Sequence, residues 1–307
     1  MTVRLANAPV SYGVFELTLD SDRFLAPAER VLDEVRSAGY AGIDLGSVGY
    51  LGDAAGLGER LADRGLGLAG AYIELRFEDR IALDAGRPYL ESALDMFDAA
   101  IRADAGQHPA PRPTLAAASS PSHQRRPGGA QHDRSIGLDD SEWARFVDGL
   151  QSVAARCRER GYEPAFHHHA GTAIEAPWEI ERLLDTSDVG LCLDTGHLTV
   201  GGGDPVADLL RWGPRIRQLH LKDARRADLD QIAADGGSAT EIWTRGVFCP
   251  LGSGDLNVAG VVDAIVTIGY DGWIVVEEDV LIADEAGFER AAVHQRANRV
   301  LLQRLGL

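Results

Sequence analysis

VGLCLDTGHL (residues 189–198) and IRQLHLKD (residues 216–223), joined by a short amphipathic segment, are two apolar runs that each stop abruptly on metal-ligating residue types. Alternation along a strand puts Cys192 and Asp194 on one face, and His197 follows in the turn after Gly196. In the second run Gln218, His220 and Lys222 share a face. If the two runs are neighbouring parallel strands, Asp194, His197, His220 and Lys222 converge at one mouth. The fold question is then whether the rest of the chain supplies a parallel sheet.

It does. Moving outward, strand-like and helix-like segments alternate from end to end, the pattern of a parallel sheet with crossover helices. Strands are expected at about 3–10, 41–46, 66–75, 113–118, 164–169, 189–194, 216–222 and 272–279. Helices between them are marked by Pro27, Pro177 and Pro205 at their starts and by apolar stripes such as Leu90, Leu94, Phe97 and Ile101. Asp140 or Ser141 caps a further helix with Trp143, Phe146, Leu150 and Val153 as its stripe. Eight strands alternating with helices, with no composition break at mid-chain, predict one (β/α)8 barrel domain over residues 1–307. The length of 307 residues suits such a barrel.

Two stretches break the alternation. Residues 119–137, ASSPSHQRRPGGAQHDRSIG with its flanks, are rich in Gly, Pro and Ser, and read as a structureless stretch that is mobile until a ligand orders it. As a lid, it would bring His123, Arg125 and Arg126 over an oxygen-rich substrate; as a surface loop it would simply be solvated. Residues 223–257 form a second long excursion.

A net charge of −17 disfavours a nucleic-acid partner, which needs a basic surface, and favours divalent cations. No apolar run approaches the roughly 20 residues of a membrane span, and the N-terminus lacks a signal-peptide core. Cys157, Cys192 and Cys249 are odd in number and far apart, which points to reduced thiols and a cytoplasmic protein. Self-association is left open.

In a barrel of this kind, reactive residues sit at the C-terminal ends of the strands. The ends here are Asp44, Glu74, His167 to His169, Asp194 with His197, His220 with Lys222, and Glu277. Asp, His and Glu on successive late strands make an oxygen and nitrogen cage for Mn²⁺, Mg²⁺, Co²⁺ or Zn²⁺. Alternation sends His167 and His169 to one face and His168 to the other. Glu277 shares a face with Trp273 and Val275, and a carboxylate there is costly unless paired or metal-bound. Glu278 and Asp279 read as loop charges, and Glu175 as a solvated turn residue. Lys222 is the only lysine among 30 basic residues, and a buried lysine, unlike arginine, can take part in proton transfer. The plainer alternative is a strand-end ion pair with Asp223.

The order HHHAGT, LCLDTGH, HLKD, GVFCPLGSGDLN and GWIVVEED, with NAPVSYGV near the start, resembles the sugar phosphate isomerase/epimerase superfamily, and especially its inosose dehydratase branch. The resemblance covers nearly the whole chain. It implies a xylose-isomerase-like barrel and a divalent metal, with Mn²⁺ foremost, held at Asp194, His220 and Glu277. Many relatives supply a glutamate from the fifth strand, where this chain offers His167 as the remaining ligand. Glu277, Lys222 and His169 are then the expected proton-transfer and charge-stabilising groups, and His168, His197, Arg125 and Arg126 the substrate contacts. The implied chemistry is proton abstraction beside the carbonyl of a ketose or keto-polyol. Isomerisation or epimerisation stands first among its outcomes, and dehydration second. An AP endonuclease and a non-catalytic sugar-binding subunit are less fitting alternatives.

Overall fold

The structure, a computed structural model, describes residues 3–19, 23–104, 107 and 109–307; the other residues of the expected 1–307 span lie outside the described set. Eight parallel strand positions form the barrel: β1 Arg4–Asn7, β2 Gly42–Ile43, β3 in two pieces (Gly67–Leu68 and Gly70–Leu75), β4 Arg112–Ala117, β5 Ala165–His167, β6 Gly190–Asp194, β7 Ile216–Leu221 and β8 Trp273–Val276. The first piece of β3 pairs with β2 and the second with β4. Backbone bonds from Ala69 N to Ile43 O (2.9 Å) and from Arg112 N to Ala69 O (3.1 Å) carry the ring through the break. At the other seam β1 pairs with β8 in register, Arg4 with Trp273 through Asn7 with Val276.

Most of the elements lie where the sequence places them. The helix Asp140–Glu159 starts one residue earlier than expected, because Asp139 is its N-cap: its side chain accepts from Glu142 N (2.8 Å) while Glu142 reaches back to Asp139 N (3.0 Å). Such a reciprocal cap contributes about 1 kcal/mol. Trp143, Phe146, Leu150 and Val153 face inward as one stripe and bury it against β4, β5 and the helix Arg80–Ala103. The first strand is shorter than expected, ending at Asn7 before a 3-10 turn, Pro9–Tyr12.

Both excursions carry structure that the sequence did not announce. Residues 119–137 contain three short helical turns, Pro121–Gln124, Gly129–Gln131 and Arg134–Ile136, with His123 and Ala130 fully buried. The segment packs because Trp178 donates from Nε1 to Ala130 O (2.8 Å) and Ala239 N bonds to Gln124 O (2.8 Å). Residues 223–257 form a small antiparallel ribbon, Asp223–Ala224 with Phe248–Cys249, around the helices Arg226–Ala234 and Thr240–Thr244. Among the described residues no helix is long and apolar enough to cross a membrane. All three cysteines are buried and free.

Candidate metal centre at the barrel mouth

Asp194 ends β6 and caps the helix that follows it. Its Oδ1 accepts the amides of Gly196 (2.8 Å) and His197 (3.0 Å), which fixes the carboxylate and leaves Oδ2 aimed into the barrel. The next two residues fasten β6 to β7. The Thr195 hydroxyl donates to Lys222 O (2.7 Å) and accepts from Lys222 N (2.9 Å). A Cβ at Gly196 would lie 2.6 Å from Lys222 Cγ, so only glycine lets the lysine stem pass. The DTG of the sequence thus seats both the carboxylate and the lysine.

Strand register then assembles the rest. Asp194 is paired with His220, His220 with Val275, and His167 with Cys192. Glu277 extends β8 by one step through its amide bond to Leu221 O (2.9 Å). Ligand atoms of Asp194, His220 and Glu277 all lie within 4.8 Å of one another, as do those of His167, Asp194 and His197. His167 Nε2 is 3.5 Å from Asp194 Oδ2, and His220 Nδ1 is 3.2 Å from Glu277 Oε2. All of these residues are buried.

The electrostatics of the cluster suit a dication. Lys222 Nζ sits 3.1 Å from Asp194 Oδ2, 3.0 Å from Glu277 Oε2 and 2.8 Å from Asp279 Oδ1. One ammonium faces three buried carboxylates, and uncompensated buried charge is expensive. Burial alone would depress Lys222, yet Asp194, Asp279 and Glu277 overcome it and hold its pKa well above the usual value. Lys222 therefore stands among them as an ammonium, suited to stabilising negative charge. Burial works to keep His220 neutral, while Cys192 and Glu277 raise its pKa. Asp194 Oδ2 and both ring nitrogens of His220 make no well-directed hydrogen bond. Oriented, dry and short of positive charge, this donor set fits a divalent metal held by Asp194, His220 and Glu277, with His167 beside them. Burial keeps His167 neutral and thus able to donate a lone pair.

Above the cluster opens a cavity of about 680 Å³, to which His167, His169, His197, His220, Lys222 and Glu277 all contribute. Asp194 lies just beneath its floor. Other expected contacts are placed elsewhere. His168 points to the opposite side of the strand, as alternation requires, and accepts the Asp194 amide at 3.2 Å; it braces a ligand and does not line the cavity. Arg125 and Arg126 are exposed and outside the cavity, with Arg126 paired to Asp133 (2.8 Å), because the helical turn at 121–124 rotates Gln124 inward in their place. Asp223 does not pair with Lys222. It turns away and accepts the amides of Gly252, Gly254 and Leu256, each at 2.9–3.0 Å.

Several residues of the mouth were misread or overlooked in the sequence. Asp279 is no loop charge: it is buried, bonded at Oδ2 by Trp243 Nε1 (3.1 Å), and continues the alternation Trp273, Val275, Glu277 past the strand end. Glu278 is also buried, beside His294 (3.1 Å). Glu175 is fully buried and pushed up by desolvation to about 7. Trp243 stacks on His169 at 5.8 Å and, with Phe248, forms an aromatic wall supplied by the 223–257 excursion. No sequence signal tied that wall to the site.

The chain is 31% identical over 285 residues to the inosose dehydratase of Geobacillus kaustophilus, covering 90% of this chain and 87% of that one. It is 31% identical over 297 residues to the inosose dehydratase of Lacticaseibacillus casei, covering 95% and 94%. The crystal structure of D-allulose 3-epimerase from Methylomonas sp. superposes with a TM-score of 0.66 at 15% identity, across 99% of this chain and 98% of that one. Residues 32–297 match the xylose isomerase-like TIM barrel family. With the barrel, the mouth and this agreement along nearly its full length, the chain belongs to that family of enzymes.

Proposed function

We propose that the protein is a metal-dependent dehydratase of a keto-inositol or closely related keto-polyol. The observation that carries the reading is the buried set Asp194, His220 and Glu277 with Lys222 lodged among the carboxylates. Two relatives that match nearly the whole chain are named as inosose dehydratases, which supports placing dehydration first. Isomerisation and epimerisation now stand second.

A divalent cation held by Asp194, His220, Glu277 and His167 supplies Lewis-acid polarisation of the substrate carbonyl. The chain's own residues do the rest. His169 lines the cavity, and its Nδ1 lies 3.0 Å from Ala170 O, so the other ring nitrogen is the acceptor for the proton beside the carbonyl. Glu277 is the alternative acceptor. Lys222, held protonated, stabilises the developing enolate, and the proton taken up beside the carbonyl is returned to the β-hydroxyl, so that cleavage of its C–O bond releases water. Trp243, with Phe248 packed beside it, lines the cavity and presents an apolar face to the ring carbons. His197, 3.1 Å from Lys222 Nζ, reads a neighbouring hydroxyl.

The test is incubation with a keto-inositol in deuterated buffer with Mn²⁺ or Co²⁺, followed by mass spectrometry. Loss of one water with deuterium uptake supports the dehydratase. An isomer of unchanged mass apart from exchanged deuterium assigns the epimerase reading instead.

A further inference from the structure

A second buried ionisable group lies beneath the rim of the mouth, away from the metal ligands. Glu175 Oε2 accepts the Gly171 amide at 2.7 Å, while Oε1 makes no well-directed bond, although the Gly128 amide faces it. Glu179 Oε2 accepts the amides of Glu175 (2.9 Å) and Ala176 (2.8 Å), and its Oε1 meets His123 Nε2 at 3.0 Å. His123 Nδ1 is 2.8 Å from Ser120 Oγ. These three side chains are at most 1% exposed.

Gly171 is where three segments meet. Its carbonyl accepts Ser120 N (3.0 Å) and Gln124 Nε2 (3.1 Å), both from the 119–137 excursion. Gln124 O in turn accepts Ala239 N (2.8 Å) from the 223–257 excursion. With φ at +76°, and with a Cβ that would fall 2.4 Å from Gln124 Nε2 and 2.9 Å from Ala239 Cβ, the position admits glycine alone. Ser119, Gln124, Thr172, Thr240 and Trp243, all on these three segments, line the cavity.

We propose that Glu175 is a positioning residue: by holding the Gly171 amide it fastens both excursions into one cover and sets how tightly substrate is bound. The carboxylate touches no substrate. It acts through Gly171 on Gln124 and, through Ala239, on the helix that carries Trp243. The latch is the Gly171 N–H bond to Oε2, and the carboxyl offers that acceptor in either protonation state.

The test begins with amide hydrogen exchange on the full-length protein without substrate. Glu175→Leu is expected to speed exchange about tenfold in residues 119–137 and 238–244 together, leaving the helix at 140–159 unchanged. Glu175→Ala should show the same pattern and serves if the leucine variant does not fold, whereas Glu175→Gln, which keeps an acceptor, should exchange like the parent. Acceleration in only one of the two segments, or in neither, overturns the proposal. A kinetic arm rests on the dehydratase reading, whereas the exchange arm stands without it. With a keto-inositol, Glu175→Ala should raise KM about fivefold with kcat and bound metal unchanged. Gln124→Ala should raise KM similarly, and the double variant no further. A loss of kcat at constant KM, or strictly additive effects, contradicts the coupling.

Discussion

The mouth of the barrel has two unlike walls. On the side of β5 to β8, every strand end carries an ionisable or imidazole side chain, and His167, Asp194, His220, Lys222, Glu277 and Asp279 are all nearly inaccessible. On the side of β1 and β2, the cavity is bounded mainly by Ala8, Pro9, Val10, Val14 and Val48, with Asp44 and Ser47 among them. Burying charge costs several kcal/mol per group unless the charges are matched. The late wall therefore holds groups that the fold tolerates for the sake of chemistry, while the early wall supplies shape. Substitutions on the two walls should separate accordingly.

The largest effect is expected at the late wall. Asp194→Asn removes a ligand charge while its side-chain oxygen can still cap the helix at 195–200. Bound metal should be lost and turnover should fall by about 10³ or more, with thermal unfolding little changed, as measured by elemental analysis, kinetics and calorimetry. Chelation of the parent should mimic the variant.

Lys222→Arg sharpens the contrast within that wall. The charge persists, but a planar fork is wider than the ammonium that sits 2.8–3.1 Å from Asp194, Glu277 and Asp279. Metal content should stay normal and kcat should drop by about 10², the scale of a displaced charge-stabilising donor. A variant within threefold of the parent would return Lys222 to a purely structural part.

Glu175 belongs to neither wall and tests whether buried charge outside the chemistry is also retained at a cost. Its folded pKa of about 7 lies above the ordinary value of 4.5. A raised carboxyl pKa contributes stability that is complete below the unfolded value and is lost as pH rises from about 4.5 through 7. Glu175→Gln should therefore be more stable than the parent at pH 8, by on the order of 2 kcal/mol, and equal to it near pH 4. Chemical denaturation at the two pH values checks this; an unchanged difference would show that Glu175 is not the group that titrates.

The smallest effects are expected at the early wall and outer surface. Val48→Ala should alter KM by about threefold or less. Arg126→Ala breaks an exposed pair with Asp133 that contributes at most about 1 kcal/mol, and kinetics should not register it.

The same contrast explains what the sequence disclosed. The barrel could be read because each strand is a short apolar run bounded by turn residues, and crossover helices announce themselves by period and by proline. Asp194, His220 and Glu277 could be read because a ligand type ends an apolar run in each case. Glu175 and Asp279 could not be placed in this way, since a carboxylate just past a strand looks the same whether the following turn folds inward or outward. For Asp279 the alternation through Glu277 was an available clue. Trp243 and Phe248 reach the site through an excursion whose path depends on tertiary contacts, such as the Ala239 amide on Gln124. Arg125 and Arg126 were chosen for charge, and a single helical turn placed Gln124 in the cavity instead.

The central claim is that the late wall holds one divalent ion, and it is tested most directly by anomalous diffraction from crystals of Mn²⁺-loaded protein. The account predicts one strong anomalous peak within ligand distance of Asp194 Oδ2, His220 and Glu277, absent from Asp194→Asn crystals treated identically. A peak elsewhere, no peak at saturating Mn²⁺, or full occupancy in the variant would contradict it.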